Sequence, residues 1–422
     1  MNEQARRIQR TYLVLLLGNT LAASFIWGIN TLFLLDAGLS NLEAFAANAF
    51  FTAGMVIFEV PTGVVADTWG RRVSYLLGTV TLAGSTFLYW GLWVMNAPFW
   101  AWAIVSILLG LGFTFFSGAV EAWLVDALRY ANYDGSLELV FGRGQMVAGA
   151  AMLGGSVAGG VIAQATNLGV PFLVRGGVLL TMFVVAWRVM HDLGFTPEPA
   201  AHPLHAMRNI LTASLDYGLK NRPVRWVMLS APFSTGVGIY VFYALQPYLL
   251  ELYGDEKAYS IAGLAAAAVA GAQIVGGWGA PHVRRLFGKR TTALILAGVA
   301  DALVLALLGV AQAFWVGLAL VVLWGLLTAA QMPIRQAYLN GMIPSRQRAT
   351  VLSFDSLMGS SGGVVIQPVL GRVADVYSYA TSFVVSAVIQ LISVPFLVAS
   401  RRERSPADAA AEGAVPAGAT GS

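Results

Sequence analysis

Runs of about twenty apolar residues, separated by short polar joints, fill most of the chain, and a helix needs about that many to cross the hydrocarbon core of a bilayer. From the N-terminus the runs lie near 12–36, 44–66, 73–95, 98–127, 139–165 and 171–190, then near 224–250, 259–282, 291–311, 314–340, 349–371 and 380–399. The pattern predicts an all-α membrane protein with twelve transmembrane helices in two six-helix bundles. The first run is too long for a signal-peptide core and no small-residue cleavage site ends it, so it reads as a retained first helix.

The joints set the domain limits. Residues 1–190 form a first bundle and 224–400 a second. The interval 191–223 opens on a polar, Pro-rich stretch that includes His191, Asp192, Pro197, Glu198 and Pro199. Leu204, Met207, Ile210, Leu211 and Leu215 then recur at helical spacing among Arg208, Asp216, Lys220 and Arg222, which predicts an amphipathic helix on the membrane surface. The Ala-, Gly- and Pro-rich stretch 401–422 reads as a disordered tail.

Composition agrees with lipid as the main solvent. Only 11% of the 422 residues are charged, against about a quarter in soluble proteins, which excludes an ordinary soluble enzyme and a disordered chain. There is no cysteine, so disulfides, thiolate metal sites and a cysteine nucleophile are excluded. The excess of basic residues is a matter of position. With the N-terminus cytoplasmic, 22 of the 25 Lys and Arg fall on the cytoplasmic side and only Arg175, Lys257 and Arg372 on the other. The bias predicts a multi-pass protein of the cell membrane with both termini inside, its positive charge facing anionic lipid rather than nucleic acid.

One joint carries a motif. Between the second and third spans runs Gly63-Val64-Val65-Ala66-Asp67-Thr68-Trp69-Gly70-Arg71-Arg72. Gly63 would let helices approach closely, Gly70 would allow a tight turn, and Asp67 with Arg71 and Arg72 sets opposite charges at a helix end near water. The spacing resembles the G-x-x-x-D-x-x-G-R-[KR] signature of the major facilitator superfamily, and with the six-plus-six layout the resemblance covers about residues 10–400. It implies that Asp67 and Arg71 join Asp126, at the end of the fourth span, in a cytoplasmic gate facing the start of the eleventh span near Arg348. It also implies that spans one, four, seven and ten line a central cavity. The drug:proton antiporter branch is resembled in part: Gly142, Ala151, Gly155-Ser156 and Gly159-Gly160 approximate its fifth-span glycine pattern, with Ser156 at the proline position. Where those antiporters carry a fourth-span arginine, this chain has Ser106.

An ionisable group at mid-membrane costs roughly 2.5–3.5 kcal/mol, so the acids inside spans are candidates for coupling. Glu121 could bind a cation or carry a proton, or pair with Arg143, or extend the Asp126 network. Asp355 could face the cavity with Arg335, or form with it a cytoplasmic gate. Asp301, on the ninth span, could be a structural acid bonded to a neighbouring helix. Asn19, Trp27 and Asn30 on the first span, and Tyr240, Tyr243 and Gln246 on the seventh, suit an amphipathic substrate, although ordinary packing explains any one of them as well.

Enzyme signatures fail in context. Gly359-Ser360-Ser361-Gly362-Gly363 fits G-x-S-x-G but lies inside a helix, where it reads as a small-residue seam. Gly288-Lys289 lacks the rest of a Walker motif, and no H-E-x-x-H accompanies the four histidines. These readings predict no cofactor, no metal and no catalytic site. They predict a monomeric secondary transporter working by alternating access and exporting small amphipathic molecules in exchange for protons. The alternative on the same fold is an importer, symporter or facilitator of a specific nutrient or metabolite; a membrane-embedded enzyme or scramblase is a third reading.

Overall fold

A computed structural model describes residues 3–116, 118–196, 212, 218–343 and 348–408. The first half contains α1 (Glu3–Trp27), α2 (Asn30–Asp36), α3 (Asn41–Trp69), α4 (Arg71–Met95), α5 (Phe99–Thr114), α6 (Ala119–Tyr130), α7 (Leu137–Ala165) and α8 (Val170–Val189). The second contains α9 (Arg222–Tyr253), α10 (Tyr259–Arg285), α11 (Arg290–Leu308), α12 (Phe314–Asn340), α13 (Arg348–Val376) and α14 (Tyr379–Arg402). Because α1 with α2, and α5 with α6, each make one broken span, the chain crosses the bundle twelve times.

Among the described residues, nine of these segments are long and apolar enough to cross a membrane, and the bent pair α1–α2 makes a tenth. The remaining two, α4 and α13, have 25 and 29 residues and are the third span of the first half and the fifth of the second. Helix starts follow local chemistry. Ser40 and Glu43 form a reciprocal capping box on α3, Ser136 accepts from the Leu139 amide at the start of α7, and Ser378 accepts from the Thr381 amide at the start of α14.

The halves repeat one plan. In the first, α1 packs on α7, α3 on α5 and α4 on α8; in the second, α9 packs on α13, α10 on α12 and α11 on α14. The halves meet along two seams, α3 against α13 and α7 against α10. Glycine makes the second seam possible: a Cβ on Gly160 would lie 2.6 Å from the Tyr259 carbonyl oxygen and 2.9 Å from the Gly263 Cα. The Gly359–Gly363 stretch is likewise a packing seam, since a Cβ on Gly362 would collide with the Pro232 carbonyl of α9.

Two expectations need correction here. The tail does not begin at 401. Helix α14 runs to Arg402, a 3-10 turn covers Pro406–Asp408, and Asp408 is buried, accepting from the Thr291 amide at 2.7 Å and the Thr291 hydroxyl at 2.8 Å. Arg290 donates to the Ala407 carbonyl at 2.6 Å. An acidic cap on the first turn of α11 satisfies an otherwise orphan amide and complements the helix dipole, which is why this stretch folds despite its composition. Gly63 is the second: a Cβ there would meet nothing within 4 Å, so no close helix approach depends on it. Residues 409–422 and most of the anticipated amphipathic helix within 191–223 lie outside the described residues.

Candidate substrate cavity and gates

Breaks in two spans build the centre of the molecule. Span one bends by 47° between α1 and α2, and the break leaves carbonyls and amides without helical partners. A side chain from the other half fills the gap. Gln246 on α9 donates from Nε2 to the Trp27 carbonyl at 2.7 Å and accepts on Oε1 from the Thr31 amide at 2.8 Å. The Thr31 hydroxyl donates to the Tyr243 carbonyl at 3.0 Å. Span four breaks between α5 and α6, where Gly118 adopts φ +70°, and Glu121 falls in the first turn of α6, where the helix dipole favours an anion.

Two adjoining cavities lie along these breaks. The first, ≈ 350 Å³, is walled by Trp27, Asn30, Asn48, Tyr89, Ser156 and Arg175 of the first half and by Phe242, Tyr243 and Gln273 of the second, among others. The second, ≈ 250 Å³, shares Ala23, Trp27, Phe113 and Arg175 with the first and adds Asn19 and Glu121. Asn30 donates to Asn48 Oδ1 at 3.0 Å, and Tyr75 donates to Asn19 Oδ1 at 3.0 Å, so both amides are held by neighbours. Spans one, four and seven contribute as expected; span ten does not appear in either wall, and α10 takes its place.

Several candidates sit elsewhere. Tyr240 is fully buried in the second half and donates to the Ser382 hydroxyl at 2.6 Å, which makes it a packing residue. Gln246 seals the break in span one and lies outside both cavity walls. Arg335 and Asp355 form the anticipated pair: the guanidinium donates to both carboxylate oxygens, one contact at 2.7 Å, and to the Val227 carbonyl at 3.3 Å. The pair ties α12, α13 and α9 together within one half, and neither member lines the two cavities. Asp301 is buried on α11 with its Oδ1 lacking a hydrogen-bond partner, so the expected bond to a neighbouring helix is not made by that oxygen. Glu121 makes no ion pair with Arg143 among the described residues.

The motif joint is built differently from the resemblance. Asp67 and Arg71 pair at 2.5 Å, one turn apart, and Asp126 is not in that pair. The start of α13, where the side chains of Arg348–Thr350 fall, lies outside the described side chains. The group that organises the joint is Asp192, just past α8. Its Oδ1 accepts from the Arg72 amide at 2.9 Å, capping α4 from another loop. Burial pushes the Asp192 carboxyl above its ordinary value, against the opposing pull of the Arg72 amide and the Arg72 and Arg71 charges. Gly70 has φ +104°, and a Cβ there would lie 2.3 Å from Asp192 Oδ2, so glycine is required by both conformation and space. Arg72 donates to the Trp187 carbonyl at 2.6 Å, while Arg71 stands over the Phe195 ring at 5.9 Å.

At the opposite end the halves are latched together. Asp375, near the end of α13, accepts from the Asn41 and Leu42 amides at 2.8 Å each, capping α3 across the seam. Tyr379 donates to Asn41 Oδ1. Every hydrogen bond described between the halves lies at this end or near the middle, the others being those of Thr31, Gln246, Gln367 with Thr52 and Gln164 with the Ser260 amide.

Sequence reading missed Arg175, Asp192 and Asp375. Arg175 was counted only toward the charge on the non-cytoplasmic side; it is the sixth residue of α8 and buried, and an arginine inside an apolar run was the available signal. Among the described residues no cluster of three His, Asp or Glu side chains is placed to hold a metal.

Comparison with known proteins settles the family. The chain is 23% identical over 379 residues to an uncharacterized MFS-type transporter of Bacillus subtilis, covering 86% of this chain and 88% of that one. It is 21% identical over 251 residues to another from Methanocaldococcus jannaschii, spanning 57% of this chain and 60% of that protein's length. The fold superposes on the nucleoside transporter NupG with a TM-score of 0.77 at 10% identity, covering 95% and 100% of the two chains. For a D-xylose-proton symporter the TM-score is 0.63 at 17% identity, covering 94% and 98%. The family model of the Major Facilitator Superfamily matches residues 12–307 and 283–421. Broken spans around a two-half cavity, this fold and that match agree: the chain is a membrane transporter, not an enzyme, and belongs to the Major Facilitator Superfamily.

Proposed function

We propose that the protein moves one specific small metabolite by alternating access, as an importer, symporter or facilitator. The observation that carries this is a cavity walled by both halves, with the bonds between those halves gathered toward one end. Such an arrangement opens by rocking one half against the other. With the basic end cytoplasmic and both termini inside the cell membrane, the latched end is external and the conformation faces inward. The chain then works as a monomer.

Support for import over efflux is of two kinds. The cavity presents hydrogen-bonding amides, a hydroxyl and an arginine among its aromatic groups, which suits a defined polar substrate. The fold's likenesses include proteins titled as a nucleoside transporter and a D-xylose-proton symporter. Proton-coupled efflux is the second reading; the glycine face of α7, retained at Gly155, Gly159 and Gly160, favours it.

Glu121 is the proton carrier in either reading, since it lines a cavity and is not held in an ion pair among the described residues, whereas Asp355 is held by Arg335. The proton gradient would then be the energy source. The test is transport in proteoliposomes with a substrate drawn from a metabolite screen. Uptake driven by an inward proton gradient, abolished in Glu121→Gln while gradient-free counterflow persists, is the expected result. Accumulation only against an opposing proton gradient would replace import with efflux.

A further inference from the structure

Arg175 carries a positive charge into the middle of the protein without an answering group. It is 9% exposed, and neither a hydrogen bond nor an ion pair reaches its guanidinium from the described residues. Its Nε is buried and without a partner. The side chain stands where the two cavities share a wall. Glu121 lines the second cavity but not the first and does not pair with it. A guanidinium does not discharge by losing its proton, and burying it unpaired is costly, so the site is complete only when an anion enters.

The walls define the rest of that anion. Trp27, Tyr89, Phe113 and Tyr243 supply aromatic surface beside the arginine, and the bonded pair Asn30–Asn48 supplies amide groups. One arginine neutralises one negative charge; a dianion would leave a second charge buried without compensation. Resting on the transporter reading above, we propose that Arg175 anchors the substrate, and that the substrate class is a monoanion: a carboxylate attached to an apolar or aromatic body that fits a cavity of ≈ 350 Å³.

Binding to the purified full chain at pH 7.5 tests this with matched probes: phenylacetate and indole-3-acetate against their neutral amides, and phenyl phosphate as the dianion. The acids should bind at least about tenfold more tightly than the amides, the gap a charge-assisted hydrogen bond supplies. Phenyl phosphate should bind more weakly than the acids. In Arg175→Met the preference for acid over amide should vanish; in Arg175→Lys, which keeps the charge and loses the planar fork, part of it should remain. The wild-type comparison needs no variant, so a misfolded substitution leaves the test intact. Equal binding of acids and amides, no binding by either acid, or an undiminished preference in a folded Arg175→Met overturns the proposal. Transport of a neutral substrate by wild type and Arg175→Met alike would remove the anion and leave alternating access standing.

Discussion

In the Arg335–Asp355 pair the carboxylate is buried while 24% of the arginine side chain is exposed, so water screens part of the interaction. Removing the arginine strands the buried carboxylate, which costs about 3–5 kcal/mol for a fully buried pair and less here, while replacing both with apolar groups of similar size is often neutral. Arg335→Met should therefore lower thermal stability in detergent sharply, and Arg335→Met with Asp355→Leu should recover most of the loss. Equal damage in the single and double variants would contradict a pair whose role is confined to packing the second half. Asp192 allows a pH prediction. Its carboxyl binds a proton more tightly folded than unfolded, because burial opposes the charge. Its contribution to stability is therefore most favourable at low pH and is lost as pH rises through the folded value. The stability of wild type relative to Asp192→Asn should increase as pH falls from 7 toward the carboxylate range; a flat difference would mean that the Arg72 amide and the arginine charges cancel desolvation, and a decrease that they outweigh it.

At the scale of elements, much was legible. Twelve apolar runs mark the spans to within a few residues, because a bilayer admits little besides helices of that length. The breaks were harder. Nothing in Ile26-Trp27-Gly28-Ile29-Asn30 announces that Gln246, over two hundred residues away, completes the hydrogen bonding of the bend. Asp192 was hidden for a related reason: it caps α4 from a joint that reads as a linker. Asp67 and Arg71 were found because their bond is local, one helical turn apart; Asp126 was assigned to them by likeness, and the local geometry does not include it. The small-residue face of α7 was legible, and its use can be tested. Gly160→Leu places a side chain against the backbone of α10 and should cost about 1–3 kcal/mol by overpacking. Gly154→Ala, where a Cβ meets open space, should be close to neutral in the same thermal measurement.

At the scale of the whole molecule, the hydrogen bonds that join the two halves gather toward one end. Asp375 caps a helix of the opposite half, a geometry in which a carboxylate at a helix N-terminus contributes up to about 2 kcal/mol. Closure at that end thus depends partly on one charge. Asp375→Asn should shift the population toward opening there. The chain has no native cysteine, so spin labels at the exposed positions Thr166→Cys and Glu256→Cys would be the only ones attached. Their distance distribution should gain a longer component in Asp375→Asn; an unchanged distribution would assign closure to the Gln246 and Tyr379 contacts instead.

The docking of Asp408 on Thr291 also sets where the protein can safely be cut. Removing residues after 408 leaves the α11 cap in place. Removing residues from 405 onward strips it, and loss of an acidic cap costs roughly 1 kcal/mol. A truncation series read by thermal unfolding should therefore step down between ends at 408 and 404. A purification tag fused directly after Arg404 would remove the same cap, whereas one that follows Asp408 keeps it.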